Sequence, residues 1–423
     1  VTSGTGRTTG TRTRRAAAAL VALALLAVGC GGSDEGGTPT LTWYVFDEPS
    51  GSFAAAAERC TEEADGEYRV DLAVLPADAD QQREQLARRL AAGDTDIDII
   101  GMDVIWTAEF AEAGWILPWE GDVATAATEG RIEPTVQSAT YQDELWAAPL
   151  TSNTQLLWYR TDRVEEPPTT WDQMIEEGEA LMPDGLIQAQ GERYEGLVVY
   201  FTSLLESAGG HVLNEDGTEV SLEEEPTRRA LEVMHDYATS SAAPNTLSTS
   251  REDQARLAFE QGSSSFMVNY TFVWPSAQAV EGIGENMGYA RYPGVIEGEP
   301  SRVTVGGINL GVGAFGKHPD LAREAAACLA GDETQIQAAT EGGLLPSSEA
   351  LYDDPAVVEA FPFADILRDT LNDAVQRPQT PYYNDVALAI ARTLHPMSSI
   401  DPDADVQGLR DRITDALAGE GLL

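Results

Sequence analysis

Residues 68–102, YRVDLAVLPADADQQREQLARRLAAGDTDIDIIGM, read as strand, helix, strand. YRVDLAVL (68–75) alternates apolar and polar side chains, the period of a half-buried strand. QQREQLARRLAA (81–92) has the periodicity of an amphipathic helix, and DIDIIGM (96–102) is a second strand. Upstream, LTWYVF (41–46) predicts a buried first strand and residues 52–63 a helix. Downstream, residues 107–113 predict a helix that stops at Gly114. The order β-α-β-α-β-α predicts an α/β fold with an open sheet, whose ligand sites lie at the carboxyl ends of the strands.

A second α/β segment follows. AAPL (147–150) leads into an apolar strand over 155–159, and Pro167-Pro168-Thr-Thr into a helix over 171–182 that Pro183 ends. EGLVV (195–199) opens another unit, closed by the Gly209-Gly210 turn. Helices are expected over 226–239 and 252–261, and a short strand over 265–268. VTVGGINLGV (303–312) reads as a strand bent at Gly306-Gly307, and the tail from Pro319 as helical. No internal repeat is visible.

The amino-terminal segment has Arg12, Arg14 and Arg15, an apolar run over 16–28, and then Gly29-Cys30. This is the pattern of a signal peptide over 1–29, with Cys30 as a lipidation site and a Gly-rich tether over 30–40. The expectation is a chain held to the extracytoplasmic face of the cell membrane by lipid alone. Four of the 26 basic residues precede Cys30, leaving 22 against 70 acidic ones, a net of −48. Such a surface repels nucleic acid and anionic lipid. Cys60 and Cys328 remain; in an oxidising compartment two such cysteines pair or stay as separate buried thiols. His211, His235, His318 and His395 are scattered, without metal-ligand spacing, so neither metal nor cofactor is expected.

No catalytic motif is present: there is no GxSxG, Walker A or GxGxxG sequence. The chain instead places single polar or aromatic residues after its strands. These are Asp47 and Glu48, Asp103 with Trp106, Asn153, then Tyr270, Phe272 and Trp274. Gly306, Gly307 and Ile308 lie where a strand bends, and Arg377 stands in a loop. Carboxylates and amides exchange hydrogen bonds with hydroxyls, arginine donates in a fixed fork, and rings cover apolar sugar faces. The set suits a neutral polyol. Each residue also has an ordinary structural use, such as helix cap, turn or core.

Three segments carry a resemblance: GMDVIWTAEFAEAGWILPW (101–119), AAPLTSNTQLLWYRTD (147–162) and ARLAFEQGSSSFMVNYTF (255–272). With VTVGGINLGV (303–312), EGGLLPSSEALYDDP (341–355) and QRPQTPYY (376–383), the chain resembles the solute-binding proteins of ABC importers of the maltose/trehalose type. Within them it is most similar to actinobacterial trehalose-binding lipoproteins. The resemblance implies a two-lobed periplasmic-binding-protein-like fold of type II with three hinge crossings. Lobe one would be 41–151 plus 295–314, and lobe two 152–294 plus 315–423. It implies a monomeric, non-enzymatic receptor that closes on trehalose or a related α-linked disaccharide and delivers it to permease subunits driven by a cytoplasmic ATPase. Another glycan or polyol such as maltodextrin is the alternative, and a lipid-anchored glycoside hydrolase a further one.

The implied ligand-binding residues are Glu48 (or Asp47), Asp103, Asn153, Glu252, Tyr270, Gly307, Ile308 and Arg377. Asp103 and Asn153 would grip hydroxyls from opposing lobes. Glu252 and Arg377 would hold the second glucose, and Gly307 and Ile308 would form a wall. Tyr270 stands where the family commonly has tryptophan, and its smaller ring offers less area for stacking.

Overall fold

The computed structural model describes residues 37–76 and 78–420. The signal segment, Cys30 and the tether up to Gly36 lie outside the described residues. Among the described residues the strands are β1 (Thr40–Phe46), β2 (Arg69–Leu75), β3 (Ile99–Asp103), β4 (Thr140–Tyr141), β5 (Glu144–Leu145), β6 (Ala147–Asn153), β7 (Gln155–Arg160), β8 (Leu186–Gln188), β9 (Ser264–Tyr270), β10 (Met287–Arg291), β11 (Gly306–Val312) and β12 (Leu345–Pro346). Two sheets organise the chain, and β4 and β5 form a small hairpin.

The first sheet has six strands in the order β12-β6-β11-β3-β1-β2. β1 runs parallel to β2 and β3, while β11 is antiparallel to β3 and to β6. Ile99 and Ile100 are both fully buried but on opposite faces, because successive strand side chains alternate. On one face Leu41, Trp43 and Val45 pack with Phe53 and Ala56 of the helix Ser52–Glu63. On the other, Ile100 and Met102 pack with Leu86 and Leu90 of the helix Ala79–Ala91, which Asp78 caps by accepting from the Gln81 amide.

The second sheet runs β10-β7-β9-β8. The same alternation sends Leu157, Phe266 and Val268 into a core with the helices Trp171–Ala180, Glu195–Ser207, Glu224–Thr239 and Tyr383–Leu394. Leu156, Trp158 and Met267 face the helices Glu252–Glu260 and Ala364–Asn372. The molecule is thus a bilobed α/β protein with a periplasmic-binding-protein-like fold.

The chain passes between the sheets three times: through Thr154 alone between β6 and β7, through residues 292–305 before β11, and again after β12. The third passage lies further along the chain than the sequence expectation of residue 315. The helix Pro319–Leu329 buries Ala322, Ala325, Ala326 and Leu329 in the core of the first sheet, and β12 pairs with β6. A run of small apolar residues on one helical face matches a flat sheet surface, and that keeps residues 315–346 on the first lobe. Cys60 and Cys328 are joined in a disulfide with Cα atoms 6.0 Å apart, which ties two helices of this same lobe. Residues 303–305 stand outside β11, with Thr304 bridged to Val375, so the predicted bent strand is shorter than expected.

Candidate ligand-binding site

Strand register brings most of the candidate residues together. Asp103 ends β3 opposite Ile308 of β11, and Asn153 ends β6 opposite Gly306. Because only Thr154 separates β6 from β7, Asn153 sits two residues from Gln155, which pairs with Tyr270 at the end of β9. One crossing therefore sets residues of both sheets side by side. β11 shifts register between Ile308 and Asn309. Gly307, just before the shift and paired with Ser152, has φ 134°, and a Cβ at that position would collide with the Thr151 carbonyl. Glycine is required by the close approach of the two strands.

Arg377 enters from a loop of the second lobe and is 8 % exposed. Its Nη1 donates to Glu195 Oε1 at 2.8 Å, and its Nη2 stands 3.5 Å from Asp103 Oδ1, across the boundary between the lobes. Asp103 also accepts from the Ile105 amide at 3.2 Å, so it is both a cap and a partner of Arg377. The Tyr383 hydroxyl donates to the same Glu195 oxygen. Burial pushes the Glu195 carboxyl up, against the pull of Arg377 and of the Tyr383 hydrogen bond. Burial acts to lower the Arg377 guanidinium, and Tyr383, Asp103 and Glu195 more than reverse it.

Glu252 opens the helix Glu252–Glu260, and its carboxylate accepts from the Tyr194 hydroxyl at 2.7 Å. Its backbone carbonyl accepts from Asn269 Nδ2, which pins this helix start beside the end of β9. Burial raises the Tyr270 phenol, and so does the Glu252 charge, with Arg377 opposing. Tyr270 thus lies in the field of Glu252, Arg377, Glu195 and Asp103 together.

Glu48 is placed differently. One of its oxygens accepts from the Ser50 amide at 2.9 Å. The other accepts from the Ser50 hydroxyl at 2.6 Å and from the Ser52 amide and hydroxyl at 3.0 and 2.8 Å. The carboxylate closes the start of the helix Ser52–Glu63. Burial acts to raise its pKa, but these four bonds outweigh it and hold the carboxyl below its ordinary value. Asp47 beside it is exposed.

Two groups of this cluster, Glu195 and Tyr383, escaped the sequence reading. Each begins a helix, and a first-turn acid is so common that only its pairing with Arg377 distinguishes it. Among the described residues no group of three or more His, Cys, Asp or Glu could hold a metal ion. What converges is a set of hydrogen-bonding side chains from two lobes, with more carboxylates than arginines and a tyrosine ring.

The chain is 27 % identical over 344 residues to a probable ABC transporter-binding protein of Deinococcus radiodurans, covering 77 % of this chain and 81 % of that one. It is 23 % identical over 341 residues to the diacetylchitobiose-binding protein DasA of Streptomyces coelicolor, with 76 % of each chain covered. Among solved structures, maltose-bound MalE3 of T. maritima superposes with a TM-score of 0.78 at 27 % identity, covering 88 % of this chain and 98 % of that one. The GacH receptor of Streptomyces glaucescens superposes at 0.77 with 20 % identity, covering 91 % and 100 %, a likeness of fold. Residues 46–336 match the family model described as bacterial extracellular solute-binding protein, and the chain belongs to that family of non-catalytic binders.

Proposed function

We propose that this protein is the extracytoplasmic sugar receptor of an ABC importer, and that it holds an α-linked gluco-oligosaccharide of the maltose class between its lobes. The observation that carries the reading is the meeting of Asp103 and Asn153 from the first sheet with Tyr270, Glu252 and Arg377 from the second lobe. The likeness to a maltose-bound protein, over 88 % of this chain, supports it. Asp103, Asn153, Glu252 and Arg377 bond ligand hydroxyls, Tyr270 covers a sugar face, and Gly307 and Ile308 line the wall. Glu48 serves the site from behind, through the helix it caps. A site with more carboxylates than arginines disfavours anionic ligands. The protein works as a monomer, anchored by lipid at Cys30, and passes sugar to permease subunits with a cytoplasmic ATPase.

Trehalose is the second reading, favoured by the resemblance of segments 101–119, 147–162 and 255–272 to trehalose binders. Calorimetric titration of the protein with maltose, maltotriose, trehalose and glucose separates the two. Saturable heat with maltose or maltotriose and little with trehalose supports the first. The reverse order moves the ligand to trehalose, and no heat with any of the four overturns the α-glucoside assignment.

A further inference from the structure

We infer that Glu195 is a positioning residue of this site: with the Tyr383 hydroxyl it fixes the Arg377 guanidinium so that Nη2 faces Asp103 across the lobe boundary. The inference rests on the reading of this cleft as the ligand site. An arginine side chain is long and rotatable, and its planar fork becomes a precise donor only when one edge is held. Glu195 holds Nη1 at 2.8 Å, and Tyr383, itself 4 % exposed, holds Glu195. Nη2 is thereby left 3.5 Å from Asp103 Oδ1, longer than a good charged hydrogen bond. A neutral hydroxyl fits that arrangement: its oxygen accepts from Nη2 while its hydrogen goes to Asp103. Such a hydroxyl would link the two lobes through the ligand, so a correctly held Arg377 also favours closure.

The groups around Glu195 come from both lobes. Arg377 and Tyr383 bond it directly, and Asp103 lies beyond the guanidinium. Asp80 and the ion-paired Arg83 and Glu109 share with it a small cavity between the lobes, of about 20 Å³. Since burial raises the Glu195 carboxyl, it takes up a proton at higher pH than an exposed glutamate would, and protonation loosens its hold on Arg377. Ligand affinity should therefore fall as pH drops.

Two measurements on the full chain test this. The first compares ligand-free crystal structures of the wild type and Glu195→Gln. The second titrates both with maltose, maltotriose and trehalose from neutral to mildly acidic pH. We expect Arg377 of Glu195→Gln to turn away from Asp103, affinity at neutral pH to fall about tenfold, and the pH dependence to flatten. Tyr383→Phe, which keeps the ion pair, should lose affinity in the same direction by about threefold, and it carries the same comparison if Glu195→Gln does not fold. An unmoved Arg377 with an unchanged pH profile, or tighter binding by the variants, overturns the inference. A wild type that binds none of the three sugars overturns the proposed ligand class, while the pair of crystal structures still decides what Glu195 does.

Discussion

Single residues in this protein carry two kinds of demand. Gly307 answers to backbone geometry alone, at φ 134° and against the Thr151 carbonyl. Gly307→Ala should lower stability by about 1–3 kcal/mol, read from the denaturant midpoint, and weaken ligand binding as β11 shifts. Glu48 answers to charge. Its folded pKa lies below its ordinary 4.5, so its contribution is present above that value and is lost as pH falls through the folded one. Glu48→Gln should therefore melt below the wild type at neutral pH, and the two melting temperatures should converge in acid. That Asp103, Asn153 and Tyr270 lie at strand ends was legible in the chain, from the apolar runs beside them. Glu195 was not, because its meaning depends on a partner 182 residues away.

At the scale of elements, periodicity and caps predicted the first lobe closely. The helix Ser52–Glu63 and the strands around it stand where the apolar patterns put them. The tail was harder to assign. A helix such as Pro319–Leu329 has an alanine-rich face that fits either sheet by composition, and only the β11 it follows decides which. The Cys60–Cys328 disulfide reinforces that choice by fastening this helix to Ser52–Glu63, over a sequence separation of 268. Reduction, or Cys60→Ser with Cys328→Ser, should cost about 5 kcal/mol on the chain-entropy estimate. Chemical denaturation with and without reductant measures it, and the loss should fall on the first lobe, leaving the second sheet's hydrogen-exchange protection largely intact.

For the whole molecule, function is a matter of how two lobes meet. Beside the Arg377–Asp103 pair, Gln376 donates to the Pro134 carbonyl at 2.5 Å, and Gln379 to those of Gln137 and Thr140 at 2.7 and 3.2 Å. These bonds tie a loop of the second lobe to the segment just before β6, and Ile105 packs against the second lobe's core. Gln379→Ala removes two of them outside the ligand-contacting set. The population of the closed form should drop, and apparent affinity with it, by about two- to fivefold. Small-angle scattering of the ligand-free variant should show a larger radius of gyration than the wild type; equal radii with equal affinity would assign the loop no part in closure.

The amino-acid sequence alone determined the α/β class, most strands and helices, and the polar residues that end the strands, because these follow from periods of two and 3.6 residues and from local caps. It also carried the family, through segments spread over the chain. Only the tertiary structure decided which sheet each later helix joins, that Glu48 spends its oxygens on a helix start, and that Glu195 and Tyr383 set Arg377 against Asp103. Local pattern reports which face of an element is apolar. Which charged groups become neighbours depends on crossings and register, where one residue between β6 and β7 brings two distant sheets to the same site.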